Sequence, residues 1–316
     1  MFFPDLLPSD EQRQSLETVC AKFEGFVQDC IGCLKMPYDL VGEASAKGTS
    51  YHHATVYLLT RHAIEYMDGV SVLVSKGCAQ PCQPLLRSAL EAMLGVFYIL
   101  EADSERRGLA YQLAHAHKKI KVYLRLDPTT DQGKQLRREI AADPCADILD
   151  KPLAFDYPKM IAGLQGMFLQ PQFQPIEAEW LRMKAAHPKK KDPEWYALFG
   201  GPTSVQALAT KVGLPAMYEF LYRYWSNEVH AGSAMEAIGL MDGETVIRPI
   251  RHPEELQQAV NFAGHFGLAL ARKLVEVYEP AKMADLRSRY IEKIRQRVAE
   301  LRQGKIINAP WRDAVV

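Results

Sequence analysis

Glu219, Arg223, Ser226 and His230 carry the strongest chemical signal in this sequence. They stand in Pro-Ala-Met-Tyr-Glu-Phe-Leu-Tyr-Arg-Tyr-Trp-Ser-Asn-Glu-Val-His-Ala, residues 215–231, followed by Gly232. Pro215 suits a first helical position and Gly232 a left-handed stop, which predicts a helix between them. At about 100° per residue the four polar side chains fall within an arc of about 60°. Tyr218, Phe220, Leu221, Tyr222, Tyr224, Trp225 and Val229 occupy most of the remaining circumference. A guanidinium offers planar, permanently charged donors to phosphate oxygens. An imidazole titrates near neutrality and can accept or deliver a proton. Ser226 is placed to orient that imidazole or a phosphate, and Glu219 to hold Arg223. The other reading is the solvent face of an amphipathic helix. Against it, Ser and His are unusual on such a face, and Glu228 lies on the opposite side of the helix.

A repeat supplies a second polar group. Arg61-His-Ala-Ile-Glu65-Tyr-Met-Asp-Gly-Val is echoed by Arg87-Ser-Ala-Leu-Glu91-Ala-Met-Leu-Gly-Val. In each copy the Arg and Glu are four apart and share a helical face. Two helices joined by the Gly77–Pro84 turn would form a central antiparallel hairpin. Two readings stay open. The pairs are structural locks between core helices, or Arg61, Glu65, Arg87 and Glu91 line a shared polar pocket that supports the first group. The surroundings of the second copy are so apolar that its charges need partners.

The elements that must position these groups are helical. Apolar periodicity near 3.6 dominates the chain, and strand-like alternation is almost absent. Helices are expected over about 9–34, with the first ending before Pro37, then 50–75, 84–101 and 104–126. Others are expected over 203–212, 215–231, 254–279 and 281–303. Residues 239–250, with Asp242-Gly243 as a turn, are the one strand candidate. Between 127 and 200 eight prolines divide the chain into short helices and turns, an insertion that could serve as a lid. The expected class is all-α: a multi-helix bundle with a central helix hairpin and one small β-hairpin. Residues 1–126 would supply the first helices and the hairpin, 127–200 the insertion, and 201–316 the helices completing the same bundle as one intimate domain.

Composition excludes several function classes. With 38 Lys and Arg against 38 Asp and Glu, no global field draws the chain to nucleic acid or an anionic membrane. No stretch approaches the length of a membrane span. The opening Met-Phe-Phe-Pro-Asp-Leu-Leu-Pro lacks a basic leader, so a soluble cytoplasmic protein with reduced cysteines is expected. Cys30-x-x-Cys33 and Cys78-x-x-x-Cys82 together suit a zinc tetrahedron, or are simply small buried residues. Glu65 and Glu91 with His230 are a second metal alternative. His52-His53 and His115-x-His117 lack spaced partners. Phosphate-loop, dinucleotide, zinc-protease and serine-hydrolase motifs are missing, and no cofactor is expected. Residues 203–214 resemble half of a helix-turn-helix, but an aromatic helix follows, which argues against sequence-specific DNA reading.

Two resemblances bear on function. Arg223-x6-His230 resembles the R-x4-6-H signature of HEPN-like domains, all-α modules that include many metal-independent ribonucleases of toxin and anti-phage systems. The wider set Arg87-x3-Glu91, Tyr98, Tyr111, Trp195, Gly213, Tyr218, Tyr222, Ser226 and His230 resembles an uncharacterised bacterial domain-of-unknown-function family, number 5677, over roughly residues 50–235. The first resemblance implies Arg223, His230 and Ser226 as catalytic residues without a metal, and a homodimer. RNA would then need a basic rim. Candidates are Lys189, Lys190 and Lys191, with Lys118, Lys119 and Lys121 and the C-terminal Arg287, Arg289, Lys293, Arg295, Arg297 and Arg302. A non-enzymatic helical module that binds a ligand or a protein partner is the alternative.

Overall fold

The computed structural model describes residues 7, 9–146, 155–186, 192–223, 237–241, 244–247, 249–251, 256–288 and 294–297. It is all-α apart from one two-stranded hairpin. By contacts the chain divides into two compact units, residues 1–102 with 205–316, and residues 103–204.

The first unit is organised on α3 (His52–Ser75) and α4 (Cys82–Glu101), consecutive helices packed along their length. This is the expected hairpin, and Gly69 lets Leu85 of the opposite helix approach closely. α4 is the most apolar helix of the unit. Leu86, Leu90, Met93, Leu94 and Ile99 on it have no exposed surface. α1 (Asp10–Gly32) packs on α3, and α11 (Leu256–Tyr278) covers α1 and α4. A side chain at Gly267 would meet the Cys30 carbonyl at 2.9 Å, so glycine there sets the α1–α11 spacing.

One helix departs from the sequence reading. Pro37 was expected to lie beyond a helix end, yet α2 (Lys35–Ala46) contains it in its first turn and packs on α3. In a first turn the proline's missing N–H has no intrahelical partner to lose, so the helix tolerates it. Among the described residues, the remaining elements of this unit are α9 (Val205–Lys211), α10 (Pro215–Met217), a π-helical turn (Tyr218–Arg223), β1 (Ile238–Met241), β2 (Glu244–Ile247), a 3-10 turn (Pro280–Lys282) and α12 (Met283–Leu286). The strands pair antiparallel from Ile238 with Ile247 to Met241 with Glu244, where a hairpin was expected. Of the expected 281–303 helix, residues 281–288 and 294–297 are described; it opens with the 3-10 turn Pro280–Lys282, which leads into α12.

The second unit begins with α5 (Ser104–Leu126) and adds α6 (Asp131–Glu139), α7 (Tyr157–Phe168), α8 (Gln174–Ala186) and a 3-10 segment, Trp195–Gly200. Leu109, Leu113, Phe173, Ile176, Trp180 and Leu198 form its core. Thr130 caps α6 by accepting from the Gly133 amide, and Asp156 caps α7 by accepting from that of Lys159. Among the described residues no helix is long and apolar enough to cross a membrane.

Candidate functional site

The segment expected as one α-helix over 215–231 is not one throughout its described part. After the short α10, residues Tyr218–Arg223 form a π-helical turn. Hydrogen bonds to the fifth residue put more residues in each turn than an α-helix has, so the 100° spacing behind the expected polar stripe fails through this stretch. Such turns recur at functional sites, and no hydrophobic pattern announces them. The turn follows Gly213, whose positive φ of 77° ends α9 while the Leu214 amide bonds back to the Ala209 carbonyl. Leu221 is fully buried and anchors the turn.

Within this turn Glu219 holds Arg223, with Nη1 donating to the Glu219 Oε2 at 3.2 Å. Glu219 also accepts from the Gln206 Nε2 at 3.1 Å, which ties the turn to α9. The Arg223 side chain is nonetheless 72% exposed. Ser226 and His230, the other two expected catalytic residues, lie outside the described residues, as do Lys189, Lys190 and Lys191.

The repeat divides into unlike halves. Arg87 sets its guanidinium 3.9 Å from the centre of the Tyr222 ring and points Nε at the Glu91 carboxylate, 3.5 Å away. Burial first, then the Glu91 charge, push the Tyr222 phenol above its ordinary range, against an opposing pull from Arg87. Tyr218 stacks on Tyr222 with centroids 5.2 Å apart. Arg61 and Glu65 pair at 3.3 Å, but both are more than half exposed. The shared pocket that would join Glu65 to Glu91 is therefore not formed. Glu65 stands on a face of α3 open to water, whereas the Arg87 face of α4 is covered by the π-helical turn.

The zinc alternative loses its geometry. Among the described residues no three His, Cys, Asp or Glu side chains gather as a metal site. Cys33 and Cys82 turn their thiols to backbone carbonyls four residues back, at Asp29 and Cys78. Burial pushes the Cys82 thiol up to about 12. Of the basic groups of the second unit, Lys118 pairs with Glu194 at 3.4 Å and both Lys121 and Lys184 pair with Asp192, whereas Lys119 is exposed. Of the C-terminal cations, Arg297 bonds Asp29 at 3.1 Å, and Arg287 and Arg295 are exposed.

One constellation has no counterpart in the sequence reading. His117, on α5, stacks on Trp180 at 3.8 Å and on Phe168 at 4.5 Å, and its Nε2 is 2.7 Å from the Glu177 Oε2. The groups come from three helices, and no local spacing connects them.

Of the positions that carried the wider resemblance, the structure brings Arg87, Glu91, Tyr218 and Tyr222 together. Tyr98 is buried in α4, and Tyr111 meets Trp195 edge-on at 5.3 Å in the second unit. No curated protein and no solved structure matches the chain. A family model does match, over residues 53–244, a span that holds the repeat, the π-helical turn and the hairpin. The chain therefore belongs to that family of unknown function (DUF5677).

Proposed function

We propose that this protein is a metal-independent ribonuclease of the HEPN-like kind, in which Arg223 and His230 act on one phosphodiester. The observation that carries the reading is the state of Arg223. It is oriented by Glu219 yet largely exposed to water, as a phosphate ligand must be. In the reaction His230 takes the proton of a ribose 2′-hydroxyl, or protonates the departing oxygen. The 2′-oxygen forms a bond to phosphorus as the bond to the 5′-oxygen breaks. The products are a 2′,3′-cyclic phosphate and a 5′-hydroxyl. Arg223 neutralises charge that builds on the non-bridging oxygens in the transition state. Ser226 orients the imidazole or the phosphate. The resemblance adds a homodimer and a role as a toxin or anti-phage effector to this proposal.

The test is degradation of RNA by the wild type and by His230→Ala in buffer containing a chelator. The proposal expects cleavage by the wild type and its loss in the variant. Equal cleavage by both, or none by either, removes it.

A second reading rests on the Arg87–Tyr222–Glu91 contacts. These polar groups satisfy one another, as they would in a non-enzymatic helical module that works by binding a partner. A wild type that cuts no RNA favours that reading.

A further inference from the structure

We infer that Arg87, Glu91 and Tyr222 act together as a clamp that fixes the π-helical turn and thereby aims Arg223, so that all three are positioning residues. The inference deepens the ribonuclease reading, but its structural part stands without it.

Arg87 is confined by its neighbours. Its side chain is 18% exposed, one face lies against the Tyr222 ring, and Nε points at Glu91. At 18% exposure, against 72% for Arg223, its guanidinium is far less open to an incoming phosphate. Tyr222 immediately precedes Arg223 in the chain, so the direction of the Arg223 side chain follows from how the Tyr222 ring is seated. The ring is held by Arg87 stacked on it, itself paired with Glu91, and by Tyr218 stacked against it from within the turn. Leu221, fully buried, fixes the turn from the other neighbouring position. A π-helical turn is a rare backbone form that occurs mostly as a single turn, so side-chain contacts that hold it in place matter more than in an α-helix.

The repeat supplies an internal control. Arg61 and Glu65 have the same residue types and spacing and form the same kind of ion pair, at 3.3 Å, but in solvent. Among the described residues, only the second copy has a tyrosine ring stacked on its arginine.

The experiment is amide hydrogen exchange across residues 218–223 in the full chain. Arg87→Met and Tyr222→Leu are expected to speed exchange there by about tenfold, the scale of a lost part-buried cation–π contact. Tyr222→Phe keeps the ring and should stay nearer the wild type than Tyr222→Leu. Arg61→Met should leave exchange in the turn unchanged. Tyr222→Leu reads the clamp from the turn side, should Arg87→Met fail to fold. Wild-type exchange in Arg87→Met or in Tyr222→Leu overturns the clamp, and so does an Arg61→Met effect equal to that of Arg87→Met. A kinetic arm applies where the wild type cuts RNA. There Arg87→Met should lower kcat and leave KM nearly unchanged, whereas a raised KM at unchanged kcat would make Arg87 a substrate ligand and overturn the assignment. If the wild type cuts no RNA, the ribonuclease reading fails, and the exchange measurement still decides the clamp.

Discussion

Glu219 and Arg223 are joined by an ion pair of 3.2 Å on a turn whose backbone is π-helical, and Gln206 holds the same carboxylate from α9. The carboxylate thus orients an exposed guanidinium without burying it. Glu219→Gln removes the charge and one of the two accepting oxygens, so the bonds to Arg223 and Gln206 cannot both be kept in this geometry and the hold on Arg223 weakens. In an RNA cleavage assay the expected loss is modest, about three- to tenfold in kcat/KM, as for an exposed ion pair. A loss as large as that of Arg223→Ala would give Glu219 a direct role.

His117 and Glu177 form an enclosed side-chain hydrogen bond in the second unit, with side chains 15% and 19% exposed. Glu177→Ala leaves a largely buried imidazole without its acceptor, and should cost about 1–3 kcal/mol. Trp180→Ala removes the stacked ring and a core side chain together, and should cost about 3–5 kcal/mol. Denaturant unfolding of each variant checks both values. Equal, near-zero effects would mean that the constellation holds nothing.

Gly267 faces the Cys30 carbonyl where α11 crosses α1. Gly267→Ala would gain helix propensity, but its Cβ would sit 2.9 Å from that carbonyl oxygen. The clash should prevail and destabilise the chain by about 1–3 kcal/mol. A thermal melt at or above that of the wild type would contradict the close approach.

Asp127 ends α5 by accepting from the Thr129 hydroxyl and amide, and these bonds hold its carboxyl below the ordinary aspartate range. The folded state therefore favours the ionised form. Its contribution is complete above the unfolded value of about 3.9 and is lost as pH falls through the lower native value. Asp127→Ala should destabilise the chain by about 1–2 kcal/mol near neutrality. The gap between its melting temperature and that of the wild type should close on acidification below pH 4, and a gap that widens there contradicts the sign.

Much of the fold was legible because burial writes itself into apolar periodicity. α5 runs over Ser104–Leu126, as its pattern and the following Asp127-Pro128 indicate, and the hairpin of α3 and α4 follows from the repeat. The misreadings have physical causes. Pro37 looked like a stop because a proline pattern does not show whether the residue lies in a first turn or past a last one. The π-helical turn was read as α because apolar spacing over six residues does not distinguish the two. Identical Arg and Glu spacing in the two repeat copies concealed that only Arg87 would meet a tyrosine from a distant segment. His117 was set aside for want of a nearby partner, and Glu177 lies 60 residues away. At the candidate site, the Glu219–Arg223 contact was readable from its i, i+4 spacing. The clamp beneath it depends on tertiary packing, which carries no local signature.

The chemistry is tested most directly by offering the protein an RNA oligonucleotide beside the same sequence with 2′-deoxyribose at the cleaved position. The account predicts that only the ribose strand is cut, in the presence of chelator, leaving a 2′,3′-cyclic phosphate and a 5′-hydroxyl. Equal cutting of both strands, or products with a 5′-phosphate, would contradict it.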